Sequence, residues 1–93
     1  MFNINRGEGD TIIMKYFVYI LECADKSLYT GCTNNLEKRI EEHNKSKRGA
    51  HYTKIRRPVK LVHSEQFKTI SKALKREAEI KGWSRRKKLD LIQ

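Results

Sequence analysis

One run of eight residues, Tyr16–Cys23, constrains the fold more than any other part of the chain. It is built from β-branched, aromatic and aliphatic side chains, which is the composition of a strand. Its apolar residues occupy both parities: Phe17, Tyr19, Leu21 and Cys23 fall on one face, Val18 and Ile20 on the other. Successive strand side chains point to opposite faces, so this strand has to be covered on both sides. With 93 residues the chain has room for one domain. The covering layers must therefore come from the rest of the same short chain.

The rest of the chain supplies such layers. Asp25-Lys26-Ser27 carries turn chemistry, and Leu28–Thr33 reads as the returning strand of a hairpin. Asn34 or Asn35 can cap a helix that runs to about His43, with Leu36 and Ile40 as its apolar stripe. Residues 50–57 read as a short helix or loop closed by Pro58, and Val59–Phe67 reads as a third strand. Thr69 is a good N-cap for a second long helix to about Lys81, with Gly82 as its stop. Ser84 can cap a last short helix through Ile92. The order β-β-α-β-α-α, without repeats or a linker, predicts one α/β (α+β) unit.

The chain carries 21 Lys and Arg against 11 Asp and Glu, a formal net charge of +10. Dense basic runs lie at Lys45–Arg48, Lys54–Arg57 and Arg85–Lys88. A polyanion is the natural partner. Lys47, Arg48, Lys54, Arg56, Arg57 and Lys81 are the candidate nucleic-acid contacts. The two cysteines, Cys23 and Cys32, make no disulfide framework. No secretory signal or membrane-length segment is present, so the expected compartment is a reducing cytoplasm. Residues 1–13 are polar and glycine-rich and are expected to be a disordered extension, with the domain spanning 14–93. Met14 is a candidate natural start, because Glu8-Gly9-Asp10 would be encoded by purine-rich codons resembling a ribosome-binding site. Native peptides from before Met14, found by mass spectrometry, would rule this out.

Glu77 is the position most suggestive of chemistry. Ile70, Ala73, Leu74 and Ile80 form the predicted apolar stripe of the second long helix, and Glu77 lies within it. A carboxylate there is costly unless it is paired or binds a metal. Two readings stand: an ion pair with Arg39 or a nearby lysine, or a one-carboxylate Mg²⁺ site. Arg39 and His43, four apart, share a helix face beside Leu36 and Ile40. Such a face can grip a phosphate and move a proton, although a solvated helix edge has the same pattern. Tyr19 and Tyr29 sit one in each strand of the hairpin, where tyrosines are ordinarily core residues. Cys23, Cys32, His43 and His51 could in principle bind zinc, but their spacing matches no usual zinc pattern.

Together these residues resemble the GIY-YIG nuclease family. Phe17-Val18-Tyr19 stands at the first signature and Tyr29-Thr30-Gly31 at the second, followed by Arg39, His43 and the distal Glu77. The resemblance covers about Tyr16 to Trp83, and the Ile80–Ser84 and Tyr52–Pro58 stretches resemble the small stand-alone bacterial members. It implies a three-stranded antiparallel sheet flanked by helices. It also implies that Tyr19 and Tyr29 orient or deprotonate the attacking water, Arg39 binds the scissile phosphate, and His43 assists proton movement. Glu77 would hold one Mg²⁺ or Mn²⁺ ion. The activity implied is metal-dependent hydrolysis of DNA, in repair or recombination.

Two positions depart from the family pattern. Phe17 replaces the glycine that opens the first triplet, and Cys32 stands where the excinuclease members of the family carry a lysine. His51 falls in a loop where some homing endonucleases place a functional histidine. With no second domain to supply specificity, binding is expected to run through phosphate contacts, to recognise a branched or damaged shape, or to depend on a recruiting protein. The alternative to an enzyme is a nucleic-acid-binding module that keeps the fold without cutting. A third reading is a scaffold whose charged helices dock a partner protein.

Overall fold

A computed structural model describes residues 15–93 of the chain. The extension expected over residues 1–13 and the start at Met14 lie outside the described residues. The elements run β1 (Tyr16–Glu22), β2 (Leu28–Thr33), α1 (Leu36–Lys45), α2 (His51–Lys54), β3 (Lys60–Phe67), α3 (Ile70–Lys81) and α4 (Arg85–Ile92). The three strands form one antiparallel sheet in the order β2-β1-β3. The apolar run is thus the central strand, as its two covered faces require.

Both predicted layers form. On one face Val18 and Ile20 join Ala73 and Ile80 of α3, with Leu28, Cys32, Val62, Phe67, Trp83, Leu91 and Ile92 packed around them. On the other, Tyr19, Leu21, Cys23 and Val59 pack with Tyr29 and with Leu36 and Ile40 of α1. Burying each such side chain stabilises the fold by about 1.5–3 kcal/mol. The sheet therefore carries α3 and α4 on one side and α1 on the other.

Local chemistry sets the element ends. The β1–β2 turn places Lys26 at φ 71°, with Asp25 Oδ1 accepting from the Ser27 backbone N–H at 3.0 Å. The side chains of Asn35, Thr69 and Ser84 each accept from the backbone N–H three residues on, capping α1, α3 and α4. β3 departs from simple alternation. Ile20 pairs with His63 and Leu21 with Leu61, so Val62 is an extra residue in a bulge.

The stripe expected on α3 needs correction. Ala73 and Ile80 are buried, but Ile70 and Leu74 are 46% and 49% exposed. Ala73 has no bulk and lets the helix lie close on Val18 and Ile20, while Arg76 is drawn inward by Glu65. The buried face is made by Ala73, Arg76, Glu77 and Ile80, so Glu77 does lie on it, between Ala73 and Ile80, while Ile70 and Leu74 fall outside it.

Candidate active site

The hairpin builds the first wall. Tyr19 of β1 stands opposite Gly31 of β2 in the register. A Cβ on Gly31 would lie 2.5 Å from Tyr19 Cζ and against its hydroxyl, so the glycine is what lets the ring cross β2. Tyr19 is 1% exposed. Tyr29, two residues before Gly31, faces the same side, with ring centroids 6.5 Å apart.

Helix α1 brings His43 onto these rings, at 5.8 Å from Tyr19 and 5.1 Å from Tyr29 between centroids. His43 Nε2 lies 2.8 Å from Tyr19 Oη, and His43 Nδ1 lies 2.7 Å from Thr53 Oγ1. Helical spacing predicts this histidine on a face beside Leu36 and Ile40, with a solvated helix edge as the competing reading; in the fold it is fully buried. Burial, with the charges of Arg39 and Arg57, pushes its pKa down to about 4, against an opposing pull from Glu42. His43 is therefore neutral at physiological pH. Burial pushes the Tyr19 hydroxyl up to about 12, with Tyr29 and Glu77 adding to the rise and Arg39 opposing it.

Arg39 lies one turn before His43. Its Nη1 donates to Glu42 Oε1 at 3.1 Å and to the Arg48 carbonyl at 2.8 Å. Glu77 approaches from α3, close enough for its charge to act on both Tyr19 and Cys32. Its carboxylate pairs with Lys81 at 3.1 Å and is 16% exposed. Of the two readings of this carboxylate, an ion pair is present, but with Lys81 and not with Arg39. Cys32 packs on the α3 side of the sheet, and burial pushes its thiol up.

The expected nucleic-acid contacts divide into two groups. Lys47, Arg48 and Lys54 are exposed around the segment that follows α1, and Lys81 is exposed beside Glu77. Arg56 and Arg57 are engaged by the protein. Arg56 lies 3.8 Å over the Tyr52 ring and donates to Asp25 Oδ2 at 3.1 Å. Arg57 donates to the carbonyls of His43, Glu42 and Ser46 at 2.5, 3.1 and 2.6 Å. His51 is exposed at the start of α2.

Tyr52 and Thr53 belong to the stretch that carries the family resemblance, but the sequence gives neither of them a role. Both fall in the stretch whose secondary structure the pattern leaves open, and α2 is too short for periodicity to mark a face. Among the described residues, no group of three or more His, Cys, Asp or Glu gathers as a metal site. No described helix is long and apolar enough to cross a membrane.

A lone carboxylate does suit one divalent ion. Mg²⁺ retains several waters and takes one or two carboxylates together with substrate phosphate. Glu77 is largely buried but open at its carboxylate end, where its partner Lys81 is an exposed cation able to release it. The donor set thus fits a hard ion such as Mg²⁺ or Mn²⁺.

Residues 15–90 match the GIY-YIG catalytic domain. A UPF0213 protein of Syntrophus aciditrophicus is 63% identical over 79 residues, covering 85% of this chain and 91% of that protein. Another from Staphylococcus saprophyticus is 60% identical over 78 residues, covering 84% and 94%. The solution NMR structure of a UPF0213 protein from Bacillus halodurans superposes with a TM-score of 0.56 at 46% identity, covering 85% of this chain and 83% of that one. That of an E. faecalis protein gives 0.59 at 39% identity, covering 84% and 82%. The chain belongs to the GIY-YIG family of nuclease-type catalytic domains.

Proposed function

We propose that this protein is a divalent-metal-dependent endonuclease that hydrolyses phosphodiester bonds in DNA, in repair or recombination. The observation that carries this reading is the convergence of Tyr19, Tyr29 and His43 into one cluster, with the charges of Arg39 and Glu77 acting on the Tyr19 hydroxyl. Hydrolysis needs an oriented water, neutralised phosphoryl oxygens and a stabilised leaving group. Tyr19 and Tyr29 position the water. Arg39 offers its remaining N–H groups to the scissile phosphate. Neutral His43 is available to exchange a proton with Tyr19. Glu77 would hold the ion, which would supply charge neutralisation to the reacting phosphate. The exposed Lys47, Arg48, Lys54 and Lys81 supply phosphate contacts.

The test is a cleavage panel of plasmid, single-stranded DNA, branched DNA and structured RNA. Each is run with Mg²⁺, Mn²⁺ or a chelator, beside Glu77→Ala. Metal-dependent product that vanishes in the variant supports the enzyme and names its substrate class. Equal product from both proteins counts against this site. Salt-sensitive binding without product from either would shift the reading to a nucleic-acid-binding module.

A further inference from the structure

We propose that Thr53 is the positioning residue that fixes the tautomer of His43 and so determines which way the Tyr19 hydroxyl proton points. The catalytic consequence rests on the endonuclease reading above; the hydrogen-bond polarity does not. Thr53 is fully buried, as is His43. Thr53 Oγ1 lies 2.9 Å from the Ala50 carbonyl oxygen, and a carbonyl can only accept. The single hydroxyl proton of Thr53 is therefore spent on Ala50. Toward His43 the same oxygen can only accept, so the nitrogen 2.7 Å away, Nδ1, must carry hydrogen.

A neutral imidazole protonated on Nδ1 has a bare Nε2. The atom 2.8 Å from that lone pair is Tyr19 Oη, so the phenol donates to the histidine. The chain of donors runs Tyr19 to His43 to Thr53 to the Ala50 carbonyl, and every link has one polarity. Burial and the neighbouring Arg39 and Arg57 charges disfavour the imidazolium, which leaves two neutral tautomers in competition. Thr53 selects between them.

The consequence reaches the site. With its proton committed inward, the Tyr19 oxygen can only accept on its other side, from Arg39 beside it or from a water brought in with substrate. As the water gives a proton to Tyr19, the phenol proton passes to His43 Nε2; the ring, already protonated on Nδ1, becomes a transient imidazolium, and its low pKa returns the proton by the same route to solvent once the phosphodiester bond is broken. In the opposite tautomer Nε2–H would donate to Tyr19, the phenol proton would turn toward the site, and the water would meet a donor in place of an acceptor.

Long-range ¹H–¹⁵N correlation on the labelled full chain at neutral pH reads the tautomer directly, and it does so whether or not the protein cleaves DNA. The wild type is expected to show His43 with Nδ1 protonated and Nε2 bare. Thr53→Val, nearly isosteric, should bring in the Nε2–H form, whereas Thr53→Ser should keep the wild-type pattern. Tyr19→Phe should also keep it, because the selection comes from the threonine side. An Nε2–H histidine in the wild type, an unchanged tautomer in folded Thr53→Val, or a switch in Tyr19→Phe would each overturn the proposal. On a substrate cleaved by the wild type, Thr53→Val should lower kcat by about 100-fold with little change in KM, and Thr53→Ser should restore it. A Thr53→Val protein that switches tautomer yet keeps full kcat would refute the catalytic role while leaving the polarity intact.

Discussion

The Tyr19 ring occupies the space that a side chain on Gly31 would fill, so the two cross-strand partners are interlocked. The glycine is needed here for close approach, and the atoms it admits belong to the hydroxyl end of the ring. Gly31→Ala is expected to push Tyr19 off His43 and to destabilise the fold by about 1–3 kcal/mol, the usual cost of overpacking a core. Urea denaturation measures the loss. A Gly31→Ala protein of wild-type stability would show that the ring has room to move.

Stability should depend on pH through His43. Its pKa is depressed in the fold to about 4 from an ordinary 6.5, so the unfolded chain binds the proton more readily. The contribution is fully present above pH 6.5 and is lost as pH falls toward 4. The shift corresponds to about 3 kcal/mol. The groups that set it are Arg39, Glu42 and Arg57 around a buried ring. His43→Gln should be less stable at about pH 7.5, because Tyr19 and Thr53 lose their ring partner. It should also lose less stability between about pH 7.5 and pH 5 than the wild type does. Parallel slopes for the two proteins in denaturant titrations would contradict this assignment.

Arg57 and Lys54 make a contrast within one basic run. Arg57 gathers three carbonyls at the C-terminal end of α1, where the helix dipole also favours a cation. Lys54 is exposed at the end of α2. Arg57→Ala should cost about 2–3 kcal/mol of stability, since charged hydrogen bonds to several acceptors are lost together. Lys54→Ala should leave the melting temperature unchanged and reduce the salt slope of nucleic-acid binding by about one phosphate contact. Thermal melts and salt titrations of the two variants separate these roles. The reverse pattern would move the phosphate contact to Arg57.

Much of the architecture was legible because its signals are local. Asn35, Thr69 and Ser84 cap the N-termini of α1, α3 and α4, and each does so through its own side chain within three residues. The double-faced apolar run placed β1 between two layers, and both clusters formed around it. What failed to show was whatever depends on long-range partners. Ile70 and Leu74 fit a helical stripe, but Arg76 competes for the inward face through Glu65 on another strand, a contact that no periodicity encodes. The bulge at Val62 likewise breaks β3's alternation only because of its pairing with β1. In the site, Tyr19, Tyr29 and His43 could be named from spacing and resemblance. Thr53 lay in a stretch that the resemblance marked, but its role was not legible, because it is defined by a histidine ten residues away and by a carbonyl outside any regular element.

Helix α4 buries no residue completely; Leu91 and Ile92 pack on the core at its end, and a clamp around Trp83 holds its start. Arg76 donates to both Glu65 oxygens, at 2.8 and 3.1 Å, and to Glu79 at 2.8 Å. The same guanidinium lies 5.0 Å over the Trp83 ring, with Lys87 of α4 at 4.4 Å. His63 adds a contact to Glu65 at 2.8 Å, and the Arg76 hydrogen bonds hold the Glu65 carboxyl below its usual range. One side chain thus ties β3, α3 and the start of α4 together. Arg76→Ala should cost about 2 kcal/mol, because it removes a two-pronged ion pair and leaves Glu65 without its main partner. Arg76→Lys should recover only part of this, since an ammonium can neither fork across both oxygens nor stack as a plane. The chain has a single tryptophan, so its fluorescence reports the clamp directly. Emission should shift to the red in both variants, and amide exchange should quicken in α4 before it does in β1. Uniform quickening across the domain would mean that α4 unfolds with the whole and has no separate clamp.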